Sequence, residues 1–458
     1  MTRDTYTGFP MKTFDEMDVQ RMSSITRSAR NLQKRAHQLI PGGCHTYAKG
    51  DDQYPESAPP FICRGLGCHV WDLDGKEYIE YNMGLRAVTL GHAYRPVVDA
   101  ACAQMQLGAN FTRPSPIEVE AAEELLGIII GAEMVKFAKN GSDATTAAVK
   151  LARAFTGRDI VAICADHPFF SVDDWFIGST VMAAGIPEAI RNLTVKFSYN
   201  DIASIQALFE RYPGRIACLI MEPETIDPPV NDFLHESQRL CHRNGAVFIL
   251  DETITGFRWH IGGAQRYYDI VPDLSAFGKA MGNGFSVAAL AGKKDIMRLG
   301  GLDQGKERVF LLSLTHGAEA HSLAAAVETM RIYRREPVVP HLHQQGQRLI
   351  DGILRIINDL GLQEYFQLVG KPCNLVYATR DQEKSRSQPF RTLFLQELLK
   401  RGVIAPSLVV SYSHSNRDID RTVEAVAESL WVYRKALHEG IEKYLVGRSV
   451  QPVFRKLN

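Results

Sequence analysis

The sequence predicts an α/β fold, with a mainly parallel sheet held between helices and a smaller α+β lobe beside it. From about residue 95 to 335, strand-like segments (MVKFAK, IVAICA, ACLIME, AVFILDE), the last three built on unbroken apolar runs, alternate with helical segments such as ATTAAVKLARAFTG. Such runs are the mark of strands buried on both faces of a parallel sheet. After about residue 335 the pattern changes to long helices, HLHQQGQRLIDGILRIINDLG and DIDRTVEAVAESLWVYRKAL, with short strands such as CNLVYATR. A chain of 458 residues has room for two or three domains. We divide it into an N-terminal arm with part of the small lobe (1–94), a large domain (95–335) and a C-terminal α+β domain (336–458).

Taken in order, the first thirty-odd residues are polar, and MDVQRMSSITRSARNLQKRAHQLI has helical periodicity with little core of its own, so it is expected to pack on another surface. FICRGLGCHVWDLDGKEYIEYNMG alternates apolar and polar residues around Asp74-Gly75, which reads as a hairpin. Basic and acidic residues number 52 each, which removes the net basic field that nucleic acid or an anionic membrane surface would select. No apolar run approaches the length of a membrane span, and the start lacks a secretory apolar core, so a cytoplasmic location is expected. Eight cysteines are scattered without CxxC spacing, and the nearest pair, Cys63 and Cys68, lacks a histidine pattern to complete a zinc site. Reduced thiols and no metal are expected.

The chemistry concentrates between Asp251 and Lys279. The run AVFIL delivers Asp251 at a strand's carboxyl end, where open parallel sheets present groups to ligands. Lys279 follows Gly278, precedes Ala280, and has Gly282 and Gly284 beyond, so little bulk obstructs a planar ligand beside its amine. A pyridoxal cofactor uses both groups: a lysine to hold the aldehyde as a Schiff base, and an aspartate to keep the ring nitrogen protonated so that the ring absorbs carbanion charge. Taken singly, the lysine suits a solvated surface and the aspartate a helix cap. Upstream, KNGSDATTAAVKLARAF opens a helix after MVKFA, and the N–H groups of Gly141, Ser142 and Asp143 at that start can receive a phosphate. Taken alone, this segment reads better as a ligand-free cap; beside Asp251 and Lys279 the phosphate reading gains.

DETITGFR and GKAMG at this separation resemble the class III aminotransferases of pyridoxal-phosphate fold type I, and the resemblance runs from IPGG at Ile40 to YSHS at Tyr412. It implies a seven-stranded-type sheet, pyridoxal 5'-phosphate as cofactor, a small lobe built from both terminal parts, and a homodimer with shared active sites. It also implies roles for particular residues. Phe169 stands where relatives stack an aromatic ring on the pyridine, although the usual histidine after it is here Phe170. Thr315 in LTHGAEAHS resembles the threonine sent to the partner's phosphate site, and Glu222 resembles the glutamate of an EP pair beside the cofactor. IPGGCHTYAKG and YNMGLRAVTLGHAY are similar to the glutamate-1-semialdehyde aminomutase branch, but Lys49 stands in place of the arginine that grips the substrate carboxylate there. Lysine lacks the bidentate fork of arginine. Arg86 offers a replacement cation, or is a surface arginine. The expected activity is transfer of an amino group from an amino-acid donor, glutamate first, to a keto or aldehyde acceptor, a sugar-like or cyclic keto acid. Glutamate-1-semialdehyde 2,1-aminomutase is the alternative, and a cofactor-binding scaffold without turnover the third reading.

Overall fold

A computed structural model describes residues 29–456 apart from 303, 304, 306 and 318. Its main sheet has seven strands: β1 (Met134–Ala138), β2 (Ile160–Cys164), β3 (Thr194–Phe197), β4 (Ile216–Met221), β5 (Val247–Asp251), β6 (Leu274–Phe277) and β7 (Ala288–Gly292). Their spatial order is β1-β7-β6-β5-β4-β2-β3. Five neighbouring strands run parallel, and β7 lies antiparallel to both β6 and β1. Every residue of β2, β4 and β5 is buried, as their unbroken apolar sequences require of strands covered on both faces. Alternation then sorts side chains between two cores. Leu274, Ala276 and Leu290 join the core that contains Ala144, Ala148 and Leu151 of helix Gly141–Thr156, whereas Phe277, Ala289 and Ala291 join helices Arg95–Leu107, Pro116–Leu126 and Ala320–Arg335. β3, β6 and β7 carry no run long or apolar enough to be picked out of the sequence.

The smaller lobe is built from residues far apart in the chain. Strands Ile62–Leu66, His69–Asp72, Glu77–Glu80 and Val403–Ile404 form one sheet in that order, the last pair parallel and the others antiparallel. The hairpin expected at Asp74-Gly75 joins the second and third strands, and the Asp72 carboxylate accepts the N–H groups of Asp74 and Lys76. Helices Val338–Leu360, Gln388–Lys400 and Asn416–Glu439 pack around Phe366, Tyr377, Phe394 and Tyr433. Of the N-terminal helical reading, Ala29–Leu39 is helical, and the part before Ala29 lies outside the described residues. No helix among the described residues is long and apolar enough to cross a membrane. All eight cysteines are free thiols. Cys68 does meet a histidine, since its Sγ, a ring nitrogen of His69 and a carboxylate oxygen of Asp418 lie within 4.8 Å of one another. Sequence spacing could not reveal this, because Asp418 arrives from the last long helix, where it completes a capping box with Ser415.

One close approach fixes the turn Pro372–Asn374. Helix Val338–Leu360 passes under the turn Pro372–Asn374 so tightly that a Cβ on Gly346 would lie 1.9 Å from the Pro372 carbonyl oxygen. Gly346→Ala should therefore force the turn off the helix and cost about 1–3 kcal/mol, the usual range for overpacking. A lowered thermal midpoint of the purified protein checks this, and an unchanged midpoint counts against the packing described.

Candidate active site

The carboxyl edge of the sheet collects the candidate residues, each at or just beyond a strand end. Asp251 is the last residue of β5, and it pairs with Ala276 on β6, two residues before the chain turns into Gly278 and Lys279. Glu222 follows β4, Phe169 and Phe170 lie in the loop after β2, and Gly141 opens the helix after β1. The phosphate loop and the lysine loop touch: the position a Cβ would take on Gly278 lies 3.4 Å from Thr253 Cγ2 and 3.9 Å from the Gly141 nitrogen. Lys279 itself has φ +45°, a left-handed conformation that a lysine rarely adopts.

The charges here influence one another strongly. Burial pushes the Lys279 amine below its ordinary range, while the carboxylates of Glu222 and Asp251 oppose that and the cations of Arg86 and Arg258 reinforce it. Glu222 is 4% exposed and is pushed upward by burial and then by the charge of Asp251, with Lys279 and Arg86 pulling it back. Asp251, also 4% exposed, is raised by burial, with Thr253 and Lys279 lowering it. Its Oδ1 accepts the Thr253 N–H at 3.0 Å. A cationic ring nitrogen against the other oxygen would hold this carboxyl ionised.

Arg86 enters on an unusual piece of backbone. Met83, Gly84, Leu85 and Arg86 have φ of +44°, +59°, +61° and +72°, one turn of left-handed helix in which only Gly84 is free of steric cost. The other three cost roughly 1–2 kcal/mol each, so the surroundings must impose the turn. The Arg86 N–H donates to the Asn82 carbonyl at 2.8 Å, the Asn82 side chain accepts from Ser407 Oγ at 3.3 Å, and Arg258 Nη2 donates to the Arg86 carbonyl at 3.3 Å. Arg86 is half-buried; burial and then the charge of Arg258 bring its pKa down to about 10 against the upward pull of Glu222, so it stays a cation.

The residues present fit pyridoxal phosphate. Asn140 caps the helix by accepting the Asp143 N–H, and the Asp143 carboxylate accepts the N–H groups of Lys139 and Asn140 at 3.1 Å each. This corrects the reading of Asp143 as a phosphate donor: its N–H is already used, and its place is to shape the loop. Among the described residues the N–H groups of Gly141 and Ser142 have no such partner. Thr253 Oγ1, 3.0 Å from the position a Cβ would take on Gly141, is buried and has no hydrogen-bond partner among the described residues. Phe169 is 43% exposed and meets the Phe176 ring edge to face, whereas Phe170 is buried in the core.

Other expected residues lie apart. Thr315 is exposed, its carbonyl accepts from Asn110 Nδ2 at 3.0 Å, and no hydrogen bond joins its hydroxyl to the residues around Lys279. Lys49 is exposed and lines a cavity of about 640 Å³ whose lining includes none of Lys279, Asp251, Glu222 and Arg86. Three neighbours escaped the sequence reading. Arg258 had a signal, since it ends DETITGFR. His167, whose Nδ1 accepts the Glu222 N–H at 3.0 Å, lies two residues before Phe169. Asn374, which accepts the Arg86 Nε–H at 2.7 Å, had none.

Residues 52–409 match the family described as Aminotransferase class-III. The chain belongs to the class III aminotransferases. A glutamate-1-semialdehyde 2,1-aminomutase of Alkaliphilus metalliredigens (strain QYMF) is 31% identical over 446 residues, covering 90% of this chain and 98% of the relative. The FumI protein of Sphingopyxis sp. MTA144, solved in its PLP internal aldimine form, is similar with a TM-score of 0.81 and 29% identity, covering 90% and 97% of the two chains. An omega-transaminase from Sphaerobacter thermophilus follows with a TM-score of 0.80 and 25% identity, covering 89% and 98%. The enzyme is thus a pyridoxal-phosphate-dependent transaminase of fold type I. In an Asp251→Asn variant of this aminotransferase, borohydride should still fix the cofactor on Lys279, found by peptide mapping, while the donor half-reaction slows by several orders of magnitude. A near-normal rate, or an adduct on another lysine, would sink these assignments.

Proposed function

We propose that this aminotransferase moves an amino group from an amino-acid donor, glutamate first, to a keto or aldehyde acceptor that carries a carboxylate and hydroxyl groups, a sugar-like or cyclic keto acid of a biosynthetic route. Arg86 is the observation that carries this reading: an arginine in electrostatic reach of Lys279 and Glu222, whose two terminal nitrogens have no hydrogen-bond or ion-pair partner among the described residues. A guanidinium so placed suits a carboxylate, since the planar fork pairs with two oxygens at once.

Bound here, pyridoxal phosphate supplies the carbonyl that takes up the amino group and a ring that accepts electron density. Lys279 is the residue that would hold that carbonyl, and its free amine would be the group to move the proton at the reacting carbon. Its depressed pKa favours this, because a neutral tethered amine is a competent base. Asp251 keeps the ring nitrogen protonated. Gly141 and Ser142 hold the phosphate with their N–H groups, Phe169 covers the ring, and Glu222 sets the charge balance between Lys279 and Arg86. Thr315, being exposed, is assigned to the phosphate site of a partner subunit in a homodimer. The division at residues 94 and 335 and a cytoplasmic location belong to the same proposal.

A second reading is favoured by the relative of 31% identity named glutamate-1-semialdehyde 2,1-aminomutase. Against it stands Lys49, where that branch carries its gripping arginine. Glutamate offered with a panel of keto sugars, cyclic keto acids and glutamate-1-semialdehyde separates the two. Turnover of keto acids, with an acceptor KM that rises in Arg86→Ala far more than the donor half-reaction slows, is expected. Turnover of the semialdehyde alone, with no donor needed, would establish the aminomutase instead. Mixing inactive Lys279→Ala and Thr315→Ala proteins should restore activity through hybrid dimers; no recovery after verified subunit exchange removes Thr315 from a shared site.

A further inference from the structure

We infer that Asn374 is a positioning residue that aims Arg86 and thereby sets the enzyme's preference for a carboxylated acceptor, an inference that rests on the acceptor reading above. Asn374 is 6% exposed, and its Oδ1 accepts the Arg86 Nε–H at 2.7 Å. Arginine can meet a carboxylate through Nε and one Nη, or end-on through both Nη groups. With Nε committed to Asn374, only the end-on edge remains, and among the described residues neither Nη makes a hydrogen bond or ion pair.

The anchor is itself rigid. The Asn374 N–H donates to the Lys371 carbonyl at 2.8 Å, Lys371 Nζ pairs with the buried Glu224 at 3.3 Å, and Arg258 Nη1 donates to the Cys373 carbonyl at 3.0 Å. Gly346 closes the turn from below. The left-handed turn fixes where the Arg86 side chain starts, and Asn374 fixes where it ends. An amide also suits the task chemically. A carboxylate at position 374 would accept the same Nε–H but would satisfy the cation, competing with any acidic substrate, whereas a neutral carbonyl orients the guanidinium and leaves its charge available.

This distinction supplies the test. The acceptor half-reaction is followed on holoenzyme already loaded with the amino group, using a keto acid and an uncharged ketone of the same skeleton. Asn374→Asp preserves shape, so its thermal midpoint should match the parent. Its KM for the keto acid should rise about tenfold or more, while KM for the ketone and kcat for both stay within about twofold. Asn374→Ser, which removes the anchor without adding charge, should also lower the keto-acid preference. A merely structural role would weaken both substrates alike. If Arg86→Ala abolishes the preference but both Asn374 variants keep it within about twofold of the parent, the positioning role is overturned and the acceptor reading stands. If the parent enzyme shows no keto-acid preference, or Arg86→Ala retains it, both are overturned.

Discussion

The Arg258 guanidinium is fully buried, and no carboxylate is among its hydrogen-bond partners. It donates to the carbonyls of Arg86, Cys373 and Val410 and to the Thr89 hydroxyl. Removing such a cation from water costs several kcal/mol, which these acceptors offset in part, the buried Nε being left without a partner among the described residues. The acceptors come from segments on both sides of the main domain in sequence, so that cost is offset only while the smaller lobe stays docked. Arg258 thereby makes the lobe part of the site. The Glu224 carboxylate adds to this from the edge of β4, where it accepts from Trp259 Nε1 at 2.8 Å and from the Tyr268 hydroxyl, and pairs with Lys371.

Within that frame the chemistry depends on groups whose proton affinities are shifted first by burial and then by one another. Two acids and two arginines surround one lysine, and burial weakens the screening that would make them independent. The left-handed backbone at Met83–Arg86 and at Lys279 belongs to the same economy. Strain of this kind persists only where surrounding contacts over-determine it, and here those contacts are the ones that hold the lobe in place.

Much of this was legible in the sequence because it rests on local pattern. Fully buried strands such as β5 announce themselves by unbroken apolar runs, and a functional group at the carboxyl end of one is a geometric consequence of the parallel sheet. The strands β6 and β7 were not legible: LSAF is only four residues long, and AALAG is rich in alanine, which fits helix as well as strand. Asp143 shows a different limit. Its position at a helix start is visible, but whether its N–H faces a ligand or its own cap depends on a side-chain rotamer. Arg86 could be noticed as a cation, yet neither its left-handed turn nor its partner Asn374 could be anticipated, since both depend on segments that meet only in the folded chain.

The parallel pairing of Glu77–Glu80 with Val403–Ile404 bears on how the molecule is made. The hairpin of the small lobe is synthesised early, but the strand that completes its sheet follows the whole seven-stranded domain. Until then Glu77–Glu80 is an edge strand, and Tyr78 and Ile79, buried in the finished fold, lack the later helices that cover them. Contacts between residues so distant in sequence form slowly, because the intervening chain must first be ordered. The small lobe is therefore expected to be the last part to fold, and Arg86 to be brought onto Asn374 only then.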